Sequence, residues 1–390
     1  MRQKDGDAPA RVLLITNDFP PDVGGIERFA ESLVERLPAA SVLAPRPPGA
    51  AAYDASTDIT VRRGPGRRLL PGPGTERAFR AAIRTERPDV LLFLSSTPAP
   101  LPASRHGLPW AVVCHGAELV LPARLPLLRR LYRHRLRRAD ALFAVSEYTA
   151  RHVRALVGPP GPDTPPILRL PNSVDTVRFS PTADGQVVRK RFGLGDAPLI
   201  VITGRLVPRK GQDTLIRAMP AVRRAVPDAH LLVVGDGRDR HRLQRLASAL
   251  PTGAVVFAGR VPADWLPAVY SAADVYAHPN RSRWAGMEQE GFGVVFLEAQ
   301  ASGVAVVAGA SGGSAEALDV GRSGLMVEGR DQDEVGRMLA ELLLDEARRT
   351  RMGEQGRAFV TEHFDAVTVA ERLQRDLDAL AAGRTPTTCW

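Results

Sequence analysis

Residues 199–219 read LIVITGRLVPRKGQDTLIRAM, and they decide the class of fold. The run 199–203 is short, β-branched and uncharged, as expected of a strand buried on both faces. Gly204 ends it, a basic loop follows, and the residues over 213–224 predict an amphipathic helix. Strand, loop and helix in that order form the repeating unit of a parallel sheet with crossover helices.

The alternation continues in both directions. Downstream, strands are expected at 231–234, 255–258, 275–278 and 304–308, with helices at 238–250, 263–272, 293–301 and 334–344. Upstream, strands are expected at 12–16, 41–44, 59–62, 90–94, 110–114, 141–145 and 167–170, with helices such as 26–37, 75–86 and 125–138. Between the two series, PNSVDTVRFSP (171–181) has turn residues at both ends and no periodicity, and reads as a linker. Helices at 347–362 and 367–380 close the chain. The expected fold is α/β, with two Rossmann-like, doubly wound domains (1–172 and 173–365) facing a central cleft. Such sheets bind ligands at the carboxyl ends of their strands.

Composition narrows the classes. Of the 390 residues 44% are hydrophobic and 24% charged, an ordinary core-forming balance. Residues 1–178 hold 26 basic and 17 acidic side chains, and residues 179–390 hold 26 of each, so the whole +9 excess lies in the first half. Two cysteines, Cys114 and Cys389, cannot build a disulfide framework or a Cys-based zinc site, which points to a reduced, cytoplasmic chain. The start, MRQKDGDAPA, lacks the apolar stretch of a signal peptide. No window offers the ~18 uncharged apolar residues of a membrane span.

Two constellations carry the chemistry. In EGFGVVFLE, from Glu290 to Glu298, Gly291 and Gly293 precede a helical run. Its first amides would meet a phosphate or a sugar hydroxyl. The two glutamates lie eight residues apart, ~12 Å if helical, against roughly 5–9.5 Å for paired acid–base carboxylates. They suit the two ends of one elongated ligand, with a loop glutamate and a solvated helix glutamate as the plain alternative. In GRLVPRKG, Arg205 and Lys210 sit on a strand-end loop where two cations could neutralise a diphosphate. A solvated basic turn is the alternative there.

Weaker signals lie in the first half. Gly24 and Gly25 open a helix after the first strand, and His115-Gly116 ends the strand WAVVC. The residues over 124–138 predict a basic helix carrying seven arginines, with Leu128, Tyr132 and Leu136 as an apolar stripe. With Arg62, Arg63, Arg67 and Arg68 nearby, it could rest on an anionic membrane, or it could be merely solvated. No nucleic-acid motif supports the other use of such charge. The pairs Asp331/Asp333 and Asp376/Asp378 fall at the start of, or inside, late helices, and no zinc spacing is present, so no metal site is expected.

The Gly24–Gly25 loop, His115-Gly116, Asn172-Ser-Val-Asp175, Arg205 with Lys210, and Glu290 with Glu298 together resemble the retaining GT-B glycosyltransferases of family 4. The stretches VLLITNDFPPDVGGIE, GRLVPRKGQDTL and AGMEQEGFGVVFLEA look most like the actinobacterial phosphatidylinositol mannosyltransferases that add a second mannose. The resemblance implies transfer from a nucleotide-sugar donor, GDP-mannose, to a lipid-linked hydroxyl acceptor at the inner membrane face, without a metal. It implies that Arg205 and Lys210 bind the donor diphosphate. Glu290, with Phe292, Gly293 and Val294, would hold the sugar, and Glu298 the ribose. Val261 would meet the base, Gly24 and Gly25 the phosphate, and His115 the sugar. The last helix, near 366–384, would rejoin the first domain. Two other functions remain open: a family-4 enzyme using a UDP-sugar on a soluble acceptor, and a nucleotide-sugar epimerase of the same fold.

Overall fold

The uncharged runs at 12–15, 90–93, 110–114 and 199–203 become strands buried from end to end, because helices on both faces cover them. The computed structural model describes residues 8–96, 106–159, 161 and 164–386. Cys389 and the first seven residues lie outside that range.

The chain divides into two compact units, residues 1–172 with 366–390, and residues 173–365. Unit 1 holds a seven-stranded parallel sheet: β1 (Val12–Ile15), β2 (Ala40–Ala44), β3 (Thr60–Arg63), β4 (Val90–Phe93), β5 (Trp110–Cys114), β6 (Ala141–Ala144) and β7 (Ile167–Arg169). The strand order is β3-β2-β1-β4-β5-β6-β7. Its helices are α1 (Gly25–Arg36), α2 (Ala50–Ser56), α3 (Pro73–Glu86), α4 (Ala117–Arg124), α5 (Pro126–Leu136) and α6 (Glu147–Val157). One face of the sheet buries Leu13, Leu43, Leu91 and Val112 against Phe79 of α3, Tyr132 of α5 and Val153 of α6.

Unit 2 holds a six-stranded parallel sheet: β8 (Leu199–Thr203), β9 (His230–Val234), β10 (Val255–Gly259), β11 (Val275–His278), β12 (Ala305–Gly309) and β13 (Gly324–Val327), in the order β10-β9-β8-β11-β12-β13. Its helices are α7 (Gln186–Phe192), α8 (Gln212–Ala225), α9 (Arg240–Ala247), α10 (Leu266–Ser271), α11 (Val294–Ala301), α12 (Gln332–Leu344) and α13 (Glu346–His363). Helices α8 and α12 cover one face, burying Leu215, Met219, Val222, Val335 and Leu339 on Ile200, Ile202 and Val233. Each such side chain contributes about 1.5–3 kcal/mol by leaving water.

The chain then returns to unit 1 as α14 (Ala366–Ala381), which packs on α1 and β4. Val369, Leu373 and Leu377 are buried there, and Asp378 Oδ1 accepts the Ala10 amide at 2.6 Å.

Three local readings change. β13 was not expected, since GLMV is too short to show a period. The stretch 263–272 divides into a 3-10 turn at Ala263–Trp265 and α10, with Pro267 in the first turn of α10, where an amide is not needed. The basic helix is shorter than expected and breaks at Leu125, whose extended backbone (φ −100°, ψ 115°) is what a residue before proline prefers.

Candidate active site

In unit 2 the strand order reverses between β8 and β11, so the loops leaving their carboxyl ends share one crevice. The β8 loop ends in a 3-10 turn at Pro208–Lys210, and Gly211 joins it to α8. Gly211 has φ 79°, and a Cβ there would lie 2.1 Å from the Pro279 carbonyl oxygen just after β11. Glycine is what lets the two loops touch.

That turn aims two cations at one carboxylate. Lys210 Nζ lies 2.7 Å from Glu290 Oε2, and Arg209 Nη1 donates to the same oxygen at 2.9 Å. Lys210 is only 8% exposed. Burial alone would raise the Glu290 carboxyl, but Lys210 and Arg209 outweigh it and hold that group well below the usual carboxylate range. Burial pushes the Lys210 ammonium down; Glu290 opposes this, while Arg209 and Arg205 add to it. The trio carries one surplus positive charge. Arg205 itself is exposed at the start of the loop, so the second cation on Glu290 is Arg209, a residue the sequence reading passed over beside Lys210.

Glu290 leads through buried Phe292 to Gly293, the residue before α11. Gly293 has φ 99°, and a Cβ there would fall 2.4 Å from the Phe296 ring, so the approach to the helix needs glycine. Val294 is the first residue of α11, where amides have no partner within the helix. Glu298, one turn on, is 3% exposed, which removes the solvated-helix alternative. Val261 is half-buried on the loop after β10.

Glu298 ends a buried chain of hydrogen bonds. Tyr270 donates to Glu298 Oε2 at 2.5 Å. Thr203 Oγ1 lies 2.9 Å from the Tyr270 hydroxyl and 3.0 Å from the Tyr276 hydroxyl, which is 3.1 Å from His278 Nδ1. Because the Tyr270 proton is spent on Glu298, Thr203 donates to Tyr270, Tyr276 to Thr203, and His278 Nδ1–H to Tyr276. Burial raises both tyrosines and, with Lys210 adding, pushes His278 well below its ordinary value. The ring is therefore neutral, and its Nε2 is buried without a partner among the described residues. Of this chain only Glu298 stood out in the sequence; Tyr270, Tyr276 and His278 look like core positions until α10, β8 and β11 are brought together.

In unit 1 the reversal lies at β1 and β4. The loop leaving β1 is anchored by Arg63, which donates to the Pro20 carbonyl at 2.9 Å, and by Asn17, which accepts the Leu69 amide at 2.6 Å. Gly24 precedes α1 with extended backbone (φ −171°), and Gly25 begins it, where a Cβ would meet nothing within 4 Å. His115 follows β5 and is largely buried. Its Nε2 donates to the Leu94 carbonyl at 2.8 Å, its amide donates to Glu118, and its ring packs edge-on against Phe29 of α1. In the neutral ring this leaves Nδ1 as the acceptor.

The basic helix divides by face. Tyr132 and Leu136 are buried and Leu128 is half-buried; Arg129, Arg130 and Arg133 are exposed beside Leu127 (81% exposed) and Leu131. Arg63 does not belong to that surface, because its side chain is buried against Asp54 at 2.6 Å. Asp331 caps α12, accepting from the amides of Asp333 and Glu334. Among the described residues no group of three or more His, Cys, Asp or Glu could hold a metal ion, and no helix is long and apolar enough to cross a membrane.

Residues 186–359 match the family Glycosyl transferases group 1, and residues 23–178 match Glycosyltransferase Family 4. The chain is 40% identical over 381 residues to the GDP-mannose-dependent alpha-(1-6)-phosphatidylinositol monomannoside mannosyltransferase of Mycobacterium tuberculosis H37Rv, covering 93% of this chain and 97% of that one. It is 38% identical to the GDP-mannose-dependent monoacylated alpha-(1-6)-phosphatidylinositol monomannoside mannosyltransferase of Corynebacterium glutamicum, over 95% and 99% of the two chains. Among solved structures, Anabaena Alr3699/HepE with UDP and glucose superposes with a TM-score of 0.78 at 20% identity, over 95% of this chain and all of that one. Sucrose-phosphate synthase from Thermosynechococcus elongatus superposes at 0.77 and 22%, over 96% and 100%. These two likenesses speak for the fold alone.

Proposed function

This chain belongs to the group 1, family 4 glycosyltransferases, and we propose that it moves a mannosyl group from GDP-mannose to a phosphatidylinositol monomannoside, with retained stereochemistry. The observation that carries this reading is the 38–40% identity to relatives of that activity over nearly the whole chain.

The ion trio suggests how the donor is handled. A diphosphate brings more negative charge than one carboxylate, so it would displace Glu290 from Lys210 and Arg209. The freed carboxylate would then accept hydrogen bonds from the sugar hydroxyls. Amides of Phe292, Gly293 and Val294 would help hold the sugar, Glu298 the ribose, and the Val261 backbone the base. As the bond from the anomeric carbon to phosphate breaks, charge grows on the leaving diphosphate. Lys210 and Arg209, already fixed and shielded from water, would stabilise it without reorganising, with Arg205 adding its charge from the rim. The acceptor hydroxyl would attack from the side the diphosphate leaves, so no enzyme nucleophile is required. By resemblance, Gly24, Gly25 and His115 are assigned to the phosphate and the sugar. The exposed arginines and leucines of α5 would rest on an anionic membrane surface.

The test is a transfer assay with GDP-mannose and liposomes containing phosphatidylinositol monomannoside, read by mass spectrometry, with UDP-sugars and soluble acceptors in parallel. A lipid gaining one hexose only with GDP-mannose is expected. Donor consumed against soluble acceptors alone, with no lipid product, would overturn the acceptor assignment.

A further inference from the structure

We propose that unit 2 carries a second anion site, separate from Lys210 and Glu290, built to take a phosphate monoester. It is a cavity of about 490 Å³ whose wall holds Arg217, Arg242, Arg281, Arg283 and Arg330 around one acid, Asp213. Pro208 also lines it, so it lies against the loop that carries Lys210, while neither Lys210 nor Glu290 lines it.

The charges do not cancel. Arg281 grips buried Asp213 through two contacts, 2.8 and 2.9 Å, and Arg217 and Arg242 each reach Asp213 Oδ2 at 3.3 Å. Arg242 is shared with Asp239 at 2.6 Å, and Arg283 pairs with Glu288 at 3.1 Å. The Arg330 guanidinium donates to the Ser282 carbonyl, a neutral partner, at 2.9 Å; Glu328 is bonded to the Arg330 backbone amide instead. Five guanidiniums thus face three carboxylates, and one of these, Glu288, is shared with Arg238 at 3.6 Å, so the wall keeps a positive surplus of at least two charges, enough to balance a phosphate dianion. Three guanidiniums sharing one carboxylate would repel each other without further compensation. Each carries five donors, and the bonds above leave donors over on Arg217 and Arg330. Asp213 and Arg281 are the fixed base, with Arg281 Nη1 also donating to Thr214 at 2.8 Å, while Arg217 and Arg330 stand at the exposed rim. A base held by a buried ion pair and a rim of exposed guanidiniums can close bidentate bonds on a phosphate.

The phosphate could come from a soluble metabolite or from a lipid headgroup, and the experiment separates the two. Inorganic phosphate is titrated calorimetrically into the full chain saturated with GDP, into Arg217→Gln/Arg330→Gln, and into Lys210→Ala. One site that persists under GDP and in Lys210→Ala, and weakens at least about tenfold in the double variant, is expected. Binding abolished by GDP or by Lys210→Ala, binding unchanged in the double variant, or no binding at all would each overturn the site. Wild type and double variant are then compared on phosphatidylcholine vesicles with and without phosphatidic acid. A deficit of the double variant on phosphatidic acid supports a lipid headgroup as the source. Equal vesicle binding, with the calorimetric difference intact, supports a soluble phosphate.

Discussion

The loop after β8 and helix α5 both concentrate cations, and they treat them in opposite ways. In the loop, Lys210 and Arg209 are withdrawn from water and held on Glu290. On α5, Arg129, Arg130 and Arg133 stand in solvent beside exposed leucines. The first arrangement fixes charge at a point, where it acts strongly on one group and is little screened by salt. The second spreads charge over a face, where each residue acts weakly and salt weakens it further. Counting basic residues ranks α5 first, yet the chemistry we propose needs the loop.

The largest test of that contrast is within the loop. Lys210→Ala is expected to lower kcat/KM about 10²–10³-fold with the protein still folded by circular dichroism. Arg209→Ala should cost more activity than Arg205→Ala, since only Arg209 shares the carboxylate. The reverse order would return the second cation to Arg205.

A smaller effect is expected on α5. Arg130→Gln with Arg133→Gln should weaken binding to anionic vesicles by about 2 kcal/mol, about 30-fold, and the loss should shrink with added salt. Turnover of a short-chain, water-soluble acceptor should be untouched. Vesicle binding equal to wild type at low salt would make α5 an ordinary solvated face.

The smallest lies under the site. His278 is neutral and buried, with its folded pKa below the ordinary 6.5, so the unfolded chain binds the extra proton first. Its contribution to stability is complete above pH 6.5 and is lost as pH falls below it, at up to about 1.4 kcal/mol per pH unit. Denaturant melts from about pH 5 to 7.5 should show this slope in wild type and a shallower one in His278→Gln. Identical slopes would mean that the ring takes up its proton as readily in the folded protein as in the unfolded chain.

These regions also show what a sequence makes legible. Buried parallel strands such as Leu199–Thr203 and Trp110–Cys114 are visible because their burial on both faces leaves an uncharged run. Glu290 and Lys210 stand out as charges beside glycines. Glycine in turn marks where the backbone must take positive φ, as at Gly293. Arg209 was hidden because adjacent cations look alike until one of them turns toward a carboxylate 81 residues away. Tyr270, Tyr276 and His278 were hidden for a different reason: the two tyrosines, one on α10 and one on β11, meet at Thr203 of β8, and no local period records a hydrogen bond between elements. The break before α5 follows from Pro126, although the sequence reading ran the helix through it; the exposed leucines leave no such mark, because periodicity finds the buried stripe and says nothing of a second one.

The return of the chain into unit 1 sets an order of events during synthesis. Unit 2 is one contiguous stretch of 193 residues, whereas unit 1 is finished only by α14. At about 5–20 residues per second, the ribosome needs about 10–40 s to make unit 2. Throughout that time, the apolar surface of α1 and β4 that Val369, Leu373 and Leu377 later cover has no lid. The half made first is thus the half completed last, and its apolar surface waits uncovered until α14 is made.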